Sequence, residues 1–170
     1  MRPADSSTSW KCSSAPTAIA EDASAALELD PAECEVLAAE ARAFAARVSD
    51  RATQQRYVAL AEAADTGHVP PELVGSVEAL LDLLLQRGRP LAEPVLLGIF
   101  GRTPRGRELA EATRDVNGAL RGLYGQPLQT LRLTATPGRY ALVVETDRVR
   151  LTLVVDGAGP RIESVETGGS

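Results

Sequence analysis

The 170-residue chain has few of the side chains from which catalytic and metal sites are built. It contains one histidine, His68, and two cysteines, Cys12 and Cys34. A single histidine would need several carboxylates or a cysteine to bind a metal, and none of these has the spacing of a metal site. The chain also lacks a nucleophile motif, a phosphate-binding loop and a nucleotide-binding fingerprint. We therefore predict no catalytic residue, no metal and no cofactor.

Aromatic residues and long apolar runs are scarce as well. Aromatic side chains make up 4% of the chain, so aliphatic side chains must fill the core of a protein that is 44% hydrophobic. The first 25 residues lack the continuous apolar stretch of a signal peptide. The run from Val95 to Phe100 is far too short to cross a membrane. Because two isolated cysteines do not form a disulfide framework, we expect a reduced, cytoplasmic protein without a membrane segment.

Lysine is almost absent, and this bias bears on the origin of the chain. Lys11 is its one lysine, and every other basic side chain is an arginine. Together with abundant Ala, Gly, Leu and Pro, this composition favours a GC-rich bacterial genome. The net charge of −5 argues against a general nucleic-acid coat, because such proteins are basic.

Three segments are predicted along the chain. Residues 1–16 are rich in Ser, Thr, Pro and Ala, and we predict a disordered tail there. Trp10 in this tail is either an incidental exposed side chain or an anchor for a partner, since Trp is enriched at binding hot spots. Residues 17–102 are predicted to form a helical region, and residues 103–170 a helix followed by a sheet. The alternative is one continuous domain over residues 30–168.

The helices follow from start signals and from apolar residues spaced three and four apart. A short helix is predicted over Thr17–Leu29. Asp30, Pro31 and Glu33 then form the pattern of a capping box with proline in the first turn, so the next helix begins there. His68 is predicted to be a surface residue of a turn. Further helices are predicted over residues 51–65, 70–86, 91–100 and 104–124.

After Gly125 the apolar residues alternate with a period of two. Four runs show this pattern, over residues 130–135, 140–144, 149–155 and 161–167. Short connections such as Pro137-Gly138 imply antiparallel neighbours. In the last run Ile162 and Val165 are out of phase, which predicts an edge strand or a bulge. The fold class is therefore predicted as α+β, with an N-terminal helical bundle followed by a four-stranded antiparallel meander that the fifth helix covers.

The arginines are segregated from the acids. Seven acidic residues and no basic residue lie between Ser13 and Ala41. Five arginines lie between Leu83 and Arg107, and three of them surround the start of the fifth helix, where helix amides favour anions and where Gly101 and Gly106 would let a ligand approach the backbone. Three interpretations stay open: arginines that are solvated or internally paired, for example with the acidic N-terminal segment; a contact site for an acidic protein; and phosphate or nucleic-acid contact. The candidate partner- or anion-binding residues are Arg87, Arg89, Arg102, Arg105 and Arg107.

These observations predict a non-catalytic bacterial cytoplasmic protein, regulatory or adaptor in character, that binds a macromolecule, most naturally a protein. The alternative is a small-ligand protein or minor enzyme with a cavity between helix and sheet. In outline, a helix before an antiparallel meander resembles cystatin-type folds, and the resemblance implies such a space, lined by Leu142, Leu151 and Leu153. Nucleic-acid contact through the arginines is the third and least favoured prediction, because aromatic residues are not interleaved with them.

Overall fold

The computed structural model describes residues 26–88 and 92–168. The predicted tail, Trp10 and Arg89 lie outside this part of the chain. The described residues form β1 (Leu27–Glu28), α1 (Pro31–Ala45), α2 (Arg51–Asp65), β2 (His68–Val69), α3 (Pro71–Arg87), α4 (Glu93–Arg102), α5 (Pro104–Arg121), β3 (Leu128–Thr136), β4 (Arg139–Thr146), β5 (Val149–Asp156) and β6 (Gly159–Thr167). No helix in these two ranges has both the length and the apolar character needed to cross a bilayer.

The predicted capping box at the start of α1 is confirmed. The Asp30 carboxylate accepts a hydrogen bond from the Glu33 amide at 2.9 Å, and Glu33 Oε2 accepts one from the Asp30 amide at 2.9 Å. Asp50 caps α2 in a related way, by accepting from the Thr53 amide at 2.8 Å. These side chains satisfy amides that a helix start leaves without partners. Local sequence therefore places both helix starts.

The segment before α1 differs from the prediction. Leu27–Glu28 forms a strand instead of the end of a predicted helix, and His68 lies in the strand that pairs with it instead of in a turn. Gly67, at φ 79°, turns the chain after α2, and its carbonyl accepts from the Leu29 amide at 2.9 Å. The extended backbone of Asp30 prevents a helix from running through into α1. The pairing buries Leu27 against Val69, which local sequence could not reveal.

The first core is aliphatic and lies among the helices. It joins side chains of β1, β2 and α1 to α4, with Leu37, Leu60, Leu80, Leu81, Leu96 and Ile99 among the largest fully buried ones. Such close packing of Leu, Ile and Ala is what the low aromatic content requires. The apolar side chains Val74, Val77, Leu80, Leu81 and Leu84 of α3 are buried here. On α4, which is apolar on nearly all sides, Leu97 stays exposed.

The four-stranded sheet is an antiparallel meander in the order β3-β4-β5-β6, which confirms the predicted α+β fold. The β3–β4 turn contains Gly138 at φ 75°, as Pro137-Gly138 predicted. The predictions for β6 are also confirmed. It is an edge strand, and its register with β5 shifts between Thr152 and Leu153, so that Glu163 is the extra residue of a bulge.

Helix α5 contributes to two cores. Near its start, Leu109 packs against the core of the helices. Further along, Val116, Ala119, Leu120 and Leu123 pack against Val144, Leu142, Leu151, Leu153 and Ile162 of the sheet. The apolar stripe predicted for this helix is thus divided between two sets of neighbours. The predicted boundary between residues 102 and 103 falls where α5 begins, and it stays a prediction.

Candidate functional site

Three of the arginines predicted as a binding site, Arg102, Arg105 and Arg107, lie around the junction of α4 and α5. Thr103 begins α5: its hydroxyl accepts from the Gly106 amide at 3.1 Å and donates to the Phe100 carbonyl at 2.9 Å. A Cβ on Gly106 would lie 1.8 Å from the Phe100 carbonyl oxygen, so a glycine is required there. This close approach joins two parts of the same chain, whereas the sequence had suggested an approach to a ligand. Gly101 faces open space.

Two of the arginines are held by acids of the helices. Arg102 forms an ion pair with Glu33 of the α1 capping box at 2.5 Å. Arg105 forms one with Asp82 of α3 at 2.7 Å and donates to the Gly157 carbonyl at 3.2 Å, while its amide donates to Glu78 at 2.9 Å. These contacts match the internally paired interpretation for two members of the set. The structure places Arg102 and Arg105 at one junction, where each forms an ion pair within the chain.

The other arginines differ from these two. Arg107 is exposed on α5 and forms no ion pair with any residue of the described ranges. Arg87 is exposed at the end of α3. Arg89 lies outside the described residues. The assignment of these arginines to a partner or anion site therefore stays a prediction, and Arg107 is the member at the junction whose guanidinium is available.

A second candidate site emerges from the way burial changes across the sheet. On the face beneath α5, the β5 side chains Leu151 and Leu153 are 1% and 4% exposed, and Val144 of β4 is 7% exposed. Their neighbours on β3, Leu131 and Leu133, are 62% and 66% exposed. Leu131 lies opposite Val144, and Leu133 opposite Leu142, so all of these side chains share one face. The middle of the apolar face is therefore covered, whereas its β3 side is open, as are Val155 and Val165 at 45% and 55% exposed.

The uncovered β3 side is continuous with aromatic side chains. Tyr140 of β4 lies on the same face and is 54% exposed, and Tyr124, just after α5, is 94% exposed. We call the side chains of Leu131, Leu133, Tyr140 and Tyr124 the open face. Large apolar side chains clustered at a surface are typical of interaction sites.

A groove runs between the end of α5 and the sheet beside the open face. Its volume is about 890 Å³, and it is open to solvent. The residues that line it are Asn117, Leu120, Arg121, Leu123, Tyr124 and Val144. Apolar walls with one arginine and one asparagine suit an apolar side chain flanked by acidic or amide groups. The space between helix and sheet that the sequence suggested is thus a groove at one end of the helix, whereas Leu151 and Leu153 form packed core.

The opposite face of the sheet carries ion pairs at its β5–β6 end, where Val154, the partner of Arg161 in the register, is buried. Arg161 bonds Asp156 at 2.5 Å, and Arg139 pairs with Glu163. The hydrogen bond from Arg161, together with one from the Ala158 amide at 3.0 Å, lowers the pKa of Asp156 below its usual value. These contacts secure the β5–β6 turn. No group of three acidic, His or Cys side chains in residues 26–88 and 92–168 is arranged to bind a metal.

Sequence reasoning missed the open face because it treated α5 as a cover for the whole sheet. A helix with its side chains is about 10–12 Å across. Four strands at about 4.8 Å spacing are wider, so one helix covers only about half of such a sheet. That comparison, made on the predicted elements, would have indicated an exposed strand. Which strand stays open depends on the angle of α5, which local sequence does not specify.

Comparisons with protein-family models, with curated proteins and with solved structures find no match to this chain.

Proposed function

We propose that this chain is a non-catalytic binding protein, and that another protein docks on its open face. One observation carries the proposal: Leu131 and Leu133 are 62% and 66% exposed on the same sheet face on which Val144, Leu151 and Leu153 are packed core. Leaving such side chains in water forgoes about 1.5–3 kcal/mol each relative to full burial. A protein surface placed against them would recover part of this free energy.

The shape and chemistry of the region support a protein as the ligand. Tyr124 and Tyr140 offer large, partly polar side chains of the kind that dominate interface energetics. The adjoining groove is open, so it can receive a side chain projecting from a partner's surface. From the composition we further expect the protein to be bacterial and cytoplasmic, with a regulatory or adaptor role.

Site-specific photo-crosslinking in cells of the source organism tests this proposal. A crosslinking amino acid at position 133 should yield a discrete protein adduct, and the same probe at Glu111, exposed on α5, should not. Adding Leu131→Thr to the probe-bearing chain should abolish the adduct, because Thr retains strand propensity but removes the apolar contact. Equal labelling from both positions, or none from position 133, would contradict docking on this face. An adduct with the mass of two chains would identify the partner as a second copy.

We propose the arginine site as a second contact of the same partner. Arg107 carries this part of the proposal, since Arg102 and Arg105 are engaged by Glu33 and Asp82. We expect Arg107→Ala to reduce the adduct at position 133 by about twofold to fivefold, the range for an exposed charge pair. Arg114→Ala on the same helix is the matched control. An unchanged adduct with Arg107→Ala would remove the arginine from the site.

The groove also favours a second candidate function, the binding of a small apolar molecule. Its volume of about 890 Å³ falls within the usual range for ligand pockets. A small apolar molecule that raises the melting temperature of the chain would support this function. Leu120→Gln, in the groove wall, should then abolish the rise. Nucleic-acid contact stays the third proposal, and steeply salt-dependent binding to DNA or RNA would support it.

A further inference from the structure

The two edges of the sheet differ in how they are protected against further pairing. Edge strands expose unpaired backbone groups, and natural proteins guard them with proline, bulges, charges or a covering element. The β6 edge has Pro160, a bulge at Glu163 and contact with α5. The β3 edge has a register irregularity only at its start, between Leu128 and Thr130. From Thr130 to Thr136 it pairs regularly with β4, and no described strand pairs with its outer side.

The side chains of β3 present different chemistry on the two faces of this edge. Leu131 and Leu133 point to the open face, and Arg132 points to the opposite face, across from Val143. Arg132 is exposed and forms no ion pair with any residue of the described ranges. In a strand added beside β3, two alternate side chains would contact Leu131 and Leu133. The side chain between them would lie on the other face, beside the guanidinium of Arg132.

We propose that β3 is a strand-addition site for an extended segment of a partner protein in which apolar residues alternate with acidic ones. The inference rests on the proposed function and specifies how the partner binds. Backbone hydrogen bonds along Thr130–Thr136 supply affinity, and the alternating side chains supply specificity. The apolar residues of the segment cover Leu131 and Leu133, and an acidic residue pairs with Arg132.

Charge argues against β3 of a second copy as the added strand. The nine residues of β3, LQTLRLTAT, include one arginine and no acid. Antiparallel pairing of two β3 strands therefore places a neutral residue or another arginine opposite Arg132 in every register. Like charges directly opposite one another are destabilising. A segment that carries an acid at this position complements Arg132, and β3 itself does not.

The proposal can be tested by selection from a displayed library of random peptides. Peptides of about ten residues match the upper length of ordinary strands. The full chain should enrich peptides in which apolar and acidic residues alternate. The Arg132→Glu variant should instead enrich basic residues at the same positions and bind the original peptides about fivefold more weakly, since cross-strand charge pairs have this order of effect. Circular dichroism controls for folding, which Arg132, being exposed, should not affect.

A second measurement separates strand addition from other modes of contact. In an added strand only every second amide donates to the edge. N-methylation of alternate amides in one phase should therefore abolish binding of a selected peptide, and N-methylation in the other phase should leave it nearly unchanged. Equal effects of the two phases, or no enriched peptide at all, would overturn strand addition.

Other outcomes distinguish this inference from the proposed function. Peptides with helical spacing that bind the full chain but not Leu131→Thr would overturn strand addition and leave docking on the open face standing. An antiparallel dimer through β3, seen as a doubled mass in sedimentation that Ala135→Pro removes, would assign the edge to a second copy and overturn the inference. Crosslinking at position 133 decides the proposed function in either case.

Discussion

At the scale of single residues, the junction of α4 and α5 depends on two neighbouring positions. The buried hydroxyl of Thr103 satisfies the Gly106 amide and the Phe100 carbonyl together. Gly106 lets the first turn of α5 approach that carbonyl, because even one methyl group would clash with it. The sequence correctly indicated Thr103 as the residue before a helix start, but it suggested that Gly106 admits a ligand and could not show that the close approach is internal.

Asp156 allows a residue-scale prediction about pH. Its pKa is lowered in the folded chain by the hydrogen bond from Arg161 and by that from the Ala158 amide. A lowered pKa adds stability that is fully present above the unfolded value of about 3.9 and is lost as pH falls through the folded value. We therefore expect Asp156→Asn to melt at a lower temperature than the original chain near neutral pH.

The difference in melting temperature should disappear as pH falls well below about 3.9, where the carboxylate becomes protonated. Circular dichroism melts across this range measure it. Asp147→Asn in the β4–β5 turn is the control, and a constant difference at all pH values would contradict the assigned role of the charge.

At the scale of secondary-structure elements, Arg105 connects three of them. It lies in the first turn of α5, pairs with Asp82 of α3 and donates to the Gly157 carbonyl in the β5–β6 turn. We expect Arg105→Ala to speed hydrogen exchange at the amides of this turn. The loss of overall stability should be about 1 kcal/mol or less, because the pair is partly exposed. Arg107→Ala, which breaks no such contact, should leave exchange unchanged, and equal exchange in both variants would refute the connection.

The elements themselves were largely predictable from the sequence, with instructive exceptions. Asp30 and Pro31 predicted the start of α1 because the interactions that begin a helix are local. The strands followed from alternation, and Pro137-Gly138 predicted a hairpin turn. The pairing of Leu27 with Val69 was not predictable, since two-residue strands depend on a contact between distant parts of the chain. For the same reason, the acidic partners of Arg102 and Arg105 could not be assigned beforehand.

At the scale of the whole molecule, α5 covers only part of the sheet. The same substitution, Leu to Ala, should therefore lower the free energy of unfolding by different amounts at covered and uncovered positions. Leu151→Ala should lower the free energy of unfolding by about 2–5 kcal/mol, because it leaves a cavity beneath α5. Leu133→Ala on the open face should cost about 0.5 kcal/mol, as for surface positions. Urea unfolding measures both values. Similar losses would mean that the open face is buried in solution.

The order of the elements along the chain has a consequence for biosynthesis. The stripe Val116, Leu120 and Leu123 packs on strands that all follow it in sequence. On the ribosome, α5 therefore leaves the exit tunnel before the strands that cover it. At about 5–20 residues per second, this helix waits on the order of seconds with its apolar side chains in water. We expect nascent chains stalled with α5 just outside the tunnel to be ligands of cotranslational chaperones, and chains whose whole sheet has emerged to be released from them.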